Sequence, residues 1–142
     1  MKEQLNIKSN VHIKLFDENG KLRDRRDIHN TVTTVGKTHI ADQLAASPGE
    51  TAVTKMAIGT GTPSTTALGS SLDSNTLTSR THDGAVVTYV GDWAAGDGTG
   101  AITEAGLFNT DGTPIMLCSA SFSAINKAAA DTLQISWTLT IS

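Results

Sequence analysis

From Asp131 to Ser142 the chain reads DTLQISWTLTIS. Leu133, Ile135, Trp137, Leu139 and Ile141 take every odd position, and polar residues take every even one. Side chains alternate across a strand with period two, so this stretch is a strand with one apolar and one polar face. A helix would scatter the same five residues around its circumference. One apolar strand face has to be buried by others, and this requirement organises the rest of the chain.

At 142 residues the chain has the length of one domain, a size that buries about 70% of its unfolded surface. The single domain is expected to span 1–142, with 1–10 as a candidate N-terminal arm. Thr, Ser, Gly and Ala dominate while aromatics make up 4%, a composition of short strands and many turns. No run of about 18 apolar residues offers a membrane span. The opening MKEQLNIKSN lacks the apolar core of a secretory signal. The one cysteine, Cys118, has no internal disulfide partner and sits in the apolar run IMLC, which predicts a buried thiol.

In chain order, Leu5 to Phe16 alternates as a strand, with Leu5, Ile7, Val11, Ile13 and Leu15 on one face. Asp17-Glu18-Asn19-Gly20 reads as a tight hairpin turn. Lys21 to Thr33 returns as a strongly polar strand, suited to a sheet edge where charges deter unwanted pairing. Thr34 to Ala46 is the helix candidate, capped by Thr33 or Thr34, stopped by Ser47-Pro48-Gly49, with Val35, Ile40, Ala41 and Leu44 facing the core. Ala52 to Ile58 is a short strand leading into Gly59-Thr60-Gly61-Thr62-Pro63. Residues 64–81 read as a long Ser/Thr-rich loop with Leu68, Leu72 and Leu77 as anchors and room for a helical turn or a short strand. Ala85–Trp93 is a strand apolar on both faces, hence central or covered. Ala101–Asn109 and Pro114–Phe122 flank a second hairpin signal at Thr110-Asp111-Gly112-Thr113, and 123–130 connects to the last strand. The expected fold is an all-β, single-domain antiparallel β-sandwich of seven or more short strands, jelly-roll or immunoglobulin-like, with one short helix near 35–46.

The sequence assembles no chemistry. Val35-Gly36-Lys37-Thr38 looks like the end of a phosphate-binding loop, but Thr31 stands where the first glycine belongs. Gly59-x-Gly61 lacks the third glycine and the following helix of a dinucleotide site. His12, His29, His39 and His82 have no neighbours at metal-ligand spacing, and there is no G-x-S-x-G nucleophile elbow. Asp92, Asp97 and Asp111 lie close to glycines, where turn formation explains them as well as calcium binding does. No catalytic, cofactor or metal residue is assigned, and a non-enzymatic protein is expected. Glu104 stands out. It shares the face of Ile102 and Gly106 unless a bulge intervenes, and a buried carboxylate there needs partners such as backbone N–H groups, Arg80 or Lys127. Its expected role is structural, as is that of Trp137 in the core.

Four blocks carry a resemblance. They are Ile28-His29-Asn30-Thr31-Val32 with Gly36 and Ile40-Ala41, then Met56-Ala57-Ile58-Gly59-Thr60-Gly61, then Ile102-Thr103-Glu104-Ala105-Gly106-Leu107-Phe108-Asn109, and finally Asn126-Lys127 through Trp137. Their order and spacing resemble a family of small β-sandwich virion proteins of tailed bacteriophages. Related E-x-G-L-F segments occur in tail-collar and fibre-attachment domains. The resemblance implies a bacteriophage structural protein. With no fibrous extension or collagen-like repeat after the last strand, a capsid decoration or cement protein on the outer head surface is expected before a tail, neck or baseplate component. A carbohydrate-binding module is a more distant alternative.

The partners so implied are the phage major capsid protein and further copies of the chain, as dimers or trimers at capsid symmetry positions. The place is the virion surface, after synthesis in the bacterial host cytoplasm. Net charge is −3 overall but +2 over residues 1–30, where Lys21, Arg23, Arg25 and Arg26 cluster with Asp24 and Asp27 between them. That interrupted cluster argues against nucleic acid, which calls for a basic stripe with stacking aromatics. No membrane partner is expected either. The expected interface residues are Lys2, Lys8, Arg23, Arg25 and Arg26, on the N-terminal residues and the polar edge.

Overall fold

The computed structural model describes residues 6–30, 32–45, 51–110 and 114–142. Nine strands and one helix follow one another as β1 (Ile7–Phe16), β2 (Leu22–Asn30), α1 (Thr34–Leu44), β3 (Lys55–Gly59), β4 (Ser71–Thr76), β5 (Ser79–Asp83), β6 (Val86–Trp93), β7 (Gly100–Phe108), β8 (Met116–Lys127) and β9 (Thr132–Ile141). They form two antiparallel sheets, ordered β2-β1-β9-β6-β5 and β4-β3-β7-β8. The chain is an all-β sandwich.

The terminal strand β9 is the middle strand of the five-stranded sheet, paired with β1 on one side and β6 on the other. Its odd face is the core: Leu133, Ile135, Trp137 and Leu139 are buried. They join one cluster with Val11, Ile13 and Leu15 of β1, Tyr89 and Trp93 of β6, and Met56, Ile58, Ile102, Leu107 and Leu117 of the opposite sheet. Ile141 departs from the expectation and is 37% exposed, because it lies at the open end of the sandwich. The buried Trp137 indole needs a partner. Its Nε1 donates to Ser9 Oγ (2.7 Å), which donates to Asn30 Oδ1 (2.6 Å), while Asn30 Nδ2 donates to the Ser119 carbonyl (2.6 Å). This relay runs from the centre of one sheet to the edge of the other.

The β1–β2 hairpin forms as its turn residues dictate. Gly20 has φ +77°, and Asp17 accepts the N–H groups of Asn19 and Lys21. The candidate arm 1–10 overlaps β1, whose pairing starts at Ile7. Ile7–Asn10 is ladder, because Ile7, Lys8, Ser9 and Asn10 pair with residues 138–141 of β9.

The helix keeps only part of the expected buried face. Ile40 packs against the core and Val35 is half-buried, and Gly36 and His39 are buried, whereas Ala41 is exposed and Leu44 is 78% exposed. A close backbone approach sets the orientation. A Cβ on Gly36 would lie 1.9 Å from the Leu117 carbonyl oxygen. Thr33 caps the helix by accepting the Gly36 N–H, and its own N–H and hydroxyl donate to β8 carbonyls.

Two stretches expected mainly as loops carry strands. Residues 64–81 contain β4 and the start of β5, where at most one short strand was expected, and β8 continues through Ser123 to Lys127. Both β4 and β5 are sheet edges, exposed along much of their length, so no apolar face marks them in the sequence. The second hairpin signal lies mostly outside the described residues, but the antiparallel pairing of β7 with β8 agrees with it.

Candidate functional site

Glu104 on β7 is completely buried, and three backbone N–H groups donate to its carboxylate: Gly61 to Oε2 (2.7 Å), Ser70 to Oε2 (2.9 Å) and Gly69 to Oε1 (2.7 Å). Thr103 Oγ1 donates to the Gly61 carbonyl (2.6 Å), and the Thr60 N–H donates to the Ser70 carbonyl. One carboxylate therefore buckles both ends of the 60–70 loop onto the outer face of the four-stranded sheet. Of the three kinds of partner expected for Glu104, the backbone supplies all those observed. Arg80 instead donates to the Val53 carbonyl, and Lys127 to the Ala94 carbonyl.

The glycines of this region have a concrete task. A Cβ on Gly59 would lie 2.6 Å from Glu104 Oε2 and 2.5 Å from the Ser70 carbonyl, and one on Gly69 would lie 2.3 Å from the Thr62 carbonyl. Gly106 leaves room for Leu68, Phe108 and Met116, which close the loop's apolar underside. The register of β7 against β8 shifts between Ile102 and Glu104. Ile102 joins the central core while Glu104 meets the loop, so the two residues do not share a face as an unbroken strand would require. Beside the loop, a cavity of about 530 Å³ is lined by Lys55, Leu68, Phe108 and Asn109 among others.

Of the predicted contact residues, Arg23, Arg25 and Arg26 lie on β2 and Lys8 on the adjacent β1. β2 is the outermost strand of its sheet. Arg26 donates to both oxygens of Asp24 and to the Ser123 and Ala124 carbonyls, tying β2 to the edge of β8. Arg23 pairs with Asp131, which also accepts the Ala128 N–H in the turn before β9. Arg25 is the most open of the three, 60% exposed and 3.6 Å from Asp27. It stands opposite Lys14 of β1, and with His12, Gln134 and Ser136 these two line a shallow depression on the polar face. Lys8 is also exposed, further along β1, and is not part of that depression. Lys2 lies outside the described residues. Trp137 is buried in the core and 0% exposed, as its place in the alternation predicts.

Charge on this face is paired, and the pairing shifts titrations. The hydrogen bond from His12 holds the Asp27 carboxyl below its ordinary value, with Arg25 and Lys14 adding to the effect. The Ala128 N–H, then Arg23, does the same for Asp131. Lys127 is 2% exposed, and burial lowers its ammonium pKa against the pull of Asp131, Asp97 and Asp73. Burial raises the Tyr89 phenol to about 12 and pushes the Cys118 thiol up as well. Cys118 is buried, as its apolar surroundings predict.

A second concavity, about 250 Å³, opens between α1 and the end of the sandwich. Ile40, Leu44, Val87, Leu139 and Ile141 supply apolar lining, and His39, Arg80 and Tyr89 supply polar groups. Sequence reasoning missed it because its helical wall depends on the Gly36 contact. It also missed Asp131 as the partner of Arg23, 108 residues away, for which no local pattern exists.

Asp92 accepts from Thr78 Oγ1 and Gln134 Nε2, and Asp97 lies in the turn closed by its own N–H to the Ala94 carbonyl. Asp111 is outside the described residues. His12, His29 and His82 have polar partners in Asp27, Asn10 and the Gly84 carbonyl, and His39 is buried on α1. Among the described residues no three His, Cys, Asp or Glu side chains come together as a metal site. No helix of the described residues is long and apolar enough to cross a membrane. No protein-family model, curated protein or solved structure matches the chain.

Proposed function

We propose that this chain is a structural protein of a tailed bacteriophage, a decoration or cement protein that binds the outside of the assembled head and stabilises it. The observation that carries the reading is the convergence of two of its family-like blocks. Met56–Gly61 and Ile102–Asn109 lie 43 residues apart between Gly61 and Glu104, yet they meet in one buckle with the glycines and the carboxylate each in a role that neighbours demand. The support this gives is that the residues carrying the resemblance act together in space.

The physical character of the molecule fits that work. Loop and helix are latched to the sandwich by backbone contacts, giving a stiff body whose surface is broad and polar. Bridging neighbouring capsid subunits needs stiffness, and affinity summed over many copies needs no deep pocket. Lys8, Lys14 and Arg25 offer exposed cations on one sheet face for an acidic capsid surface. Deleting the gene and heating the resulting heads, or moving them to low salt, tests the reading. Heads that lack the protein should release DNA at lower temperature, and the purified protein should restore them. Heads of unchanged stability would refute a cement role and leave the tail, neck or baseplate reading in its place.

A further inference from the structure

We infer that β2 is a self-recognition edge: two copies of this chain pair antiparallel through Leu22–Asn30, joining their five-stranded sheets into one continuous sheet. The inference does not rest on the virion reading and holds for the isolated protein.

Among the described residues nothing pairs with the outer side of β2, so the backbone donors and acceptors that do not point to β1 face outward along its nine residues. An edge of that length is a template for another strand unless its side chains forbid it. The side chains of β2 rank the possible pairings by charge. The charged run is Arg23-Asp24-Arg25-Arg26-Asp27. Two copies related by a dyad perpendicular to the sheet keep their inner faces on the same side, so even-numbered residues must oppose even-numbered ones. With the dyad at Asp24, Arg23 meets Arg25 twice and Asp24 meets itself. With the dyad at Arg26, arginine meets arginine at the centre, Asp24 meets Ile28, and only Arg25 against Asp27, which occurs twice, is complementary. With the dyad at Arg25 the run is complementary to itself: Asp24 opposes Arg26 of the second copy, Arg23 opposes Asp27, and both pairs occur twice.

Opposite charges directly across a pair of strands stabilise it and like charges destabilise it. The charges of β2 therefore favour the Arg25 register, with four complementary pairs, over the Arg26 register with two and the Asp24 register with none. The present geometry prepares this register. Arg26 and Asp24 already face each other on one side of the strand, only 28% and 31% exposed. The dyad sets two such pairs side by side in an alternating ring of four charges. Arg23 stands at the irregularity where β2 shifts against Phe16, and only its NH1 group is engaged by Asp131, which leaves further N–H groups for Asp27 of the second copy. The single like-charged contact, Arg25 against itself, is flanked on each side by the Asp27 that already lies beside Arg25.

A register-specific cross-link tests the proposal. Arg25→Cys puts two thiols directly opposite at the dyad, within disulfide reach, whereas His29→Cys puts them far apart along the strands. Both positions are exposed, and the native Cys118 is buried and does not interfere. The recombinant protein should sediment as a dimer at high micromolar concentration. Under mild oxidation Arg25→Cys should cross-link nearly completely and His29→Cys should not. Asp27→Lys, which turns two attractive pairs repulsive, should weaken the dimer about tenfold while its thermal melt shows a folded protein. A protein that stays monomeric throughout the concentration range overturns the proposal. So does equal cross-linking at positions 25 and 29, or a dimer indifferent to Asp27→Lys.

Discussion

Replacing Glu104 by Gln is the most informative single perturbation of this fold. The side chain keeps its shape and loses one acceptor. If the amide oxygen takes the place of Oε2, it still accepts from Gly61 and Ser70. The amide NH2 then replaces Oε1 and meets the Gly69 N–H donor to donor at 2.7 Å. A hydrogen bond to a charged acceptor contributes about 1.5–3 kcal/mol. Losing one outright and weakening two others should cost about 2–3 kcal/mol. The loop lies at the surface, so freed N–H groups can reach water, which keeps the total below the sum of three buried losses. Glu104→Ala, which removes every acceptor, should cost about 4 kcal/mol by the same reasoning. At about 3 °C per kcal/mol for a domain of this size, the Gln variant should melt about 6–9 °C lower.

Urea unfolding measures the global loss, and amide hydrogen exchange localises it. In the parent protein the Gly61, Gly69 and Ser70 amides should be protected, although they belong to a surface loop. In the Gln variant Gly69 should lose protection far beyond the global change, while core amides such as that of Ile135 fall only by the global amount. A loss below about 0.5 kcal/mol, or an unchanged Gly69 amide, would refute the buckle as an energetic feature.

Three further expectations follow from other parts of the structure. Trp137→Ala empties the centre of the core and strips Ser9 of its donor, and should cost about 3–5 kcal/mol in urea unfolding; a loss under 1 kcal/mol would make β9 peripheral. Gly36→Ala should destabilise by about 2–3 kcal/mol, opposite in sign to the helix-propensity gain of about 1 kcal/mol, because its methyl meets the Leu117 carbonyl. A stabilised Ala variant would show that α1 does not dock as described. Asp131 has a folded pKa below the ordinary 3.8, so its contribution is present above that value and is lost as pH falls through the folded one. Asp131→Asn should therefore lower the urea midpoint at neutral pH and flatten its decline below about pH 4; parallel acid limbs in both proteins would contradict the pairing.

Much of this was legible in the chain where burial has a period. The strict alternation of Leu133, Ile135, Trp137 and Leu139 announces a strand buried on one face, and β9 is that strand, in the middle of its sheet. The Asn19-Gly20 turn and the polar edge strand that follows it are equally local features. Glu104 was legible as a carboxylate in need of partners, because a charge in an apolar strand has to be satisfied. Which partners satisfy it was not, since Gly61, Gly69 and Ser70 are brought to it only by the folded loop. The helix face was legible only in part, through Ile40, for a similar reason. An apolar stripe would bury Leu44, but the contact of Gly36 with a β8 carbonyl decides the orientation and leaves Leu44 in solvent. β4 and β5 carry Ser, Asn, Thr and Asp on exposed edges, so no alternation was there to read. The arginines of β2 were legible as edge residues and expected contacts, but not their partners. Long-range partners, Asp131 and the Ser123 carbonyl, tie two of them down.

The proposed place on the phage head is tested most directly by the amount of this protein in purified particles. Quantitative densitometry of virions, repeated on heads stripped of tails, gives its ratio to the major capsid protein. A decoration protein should keep a fixed ratio of the same order as the capsid symmetry demands, and should stay with the tail-less heads. Absence from the particle, or a trace amount that departs with the tails, would contradict the claim.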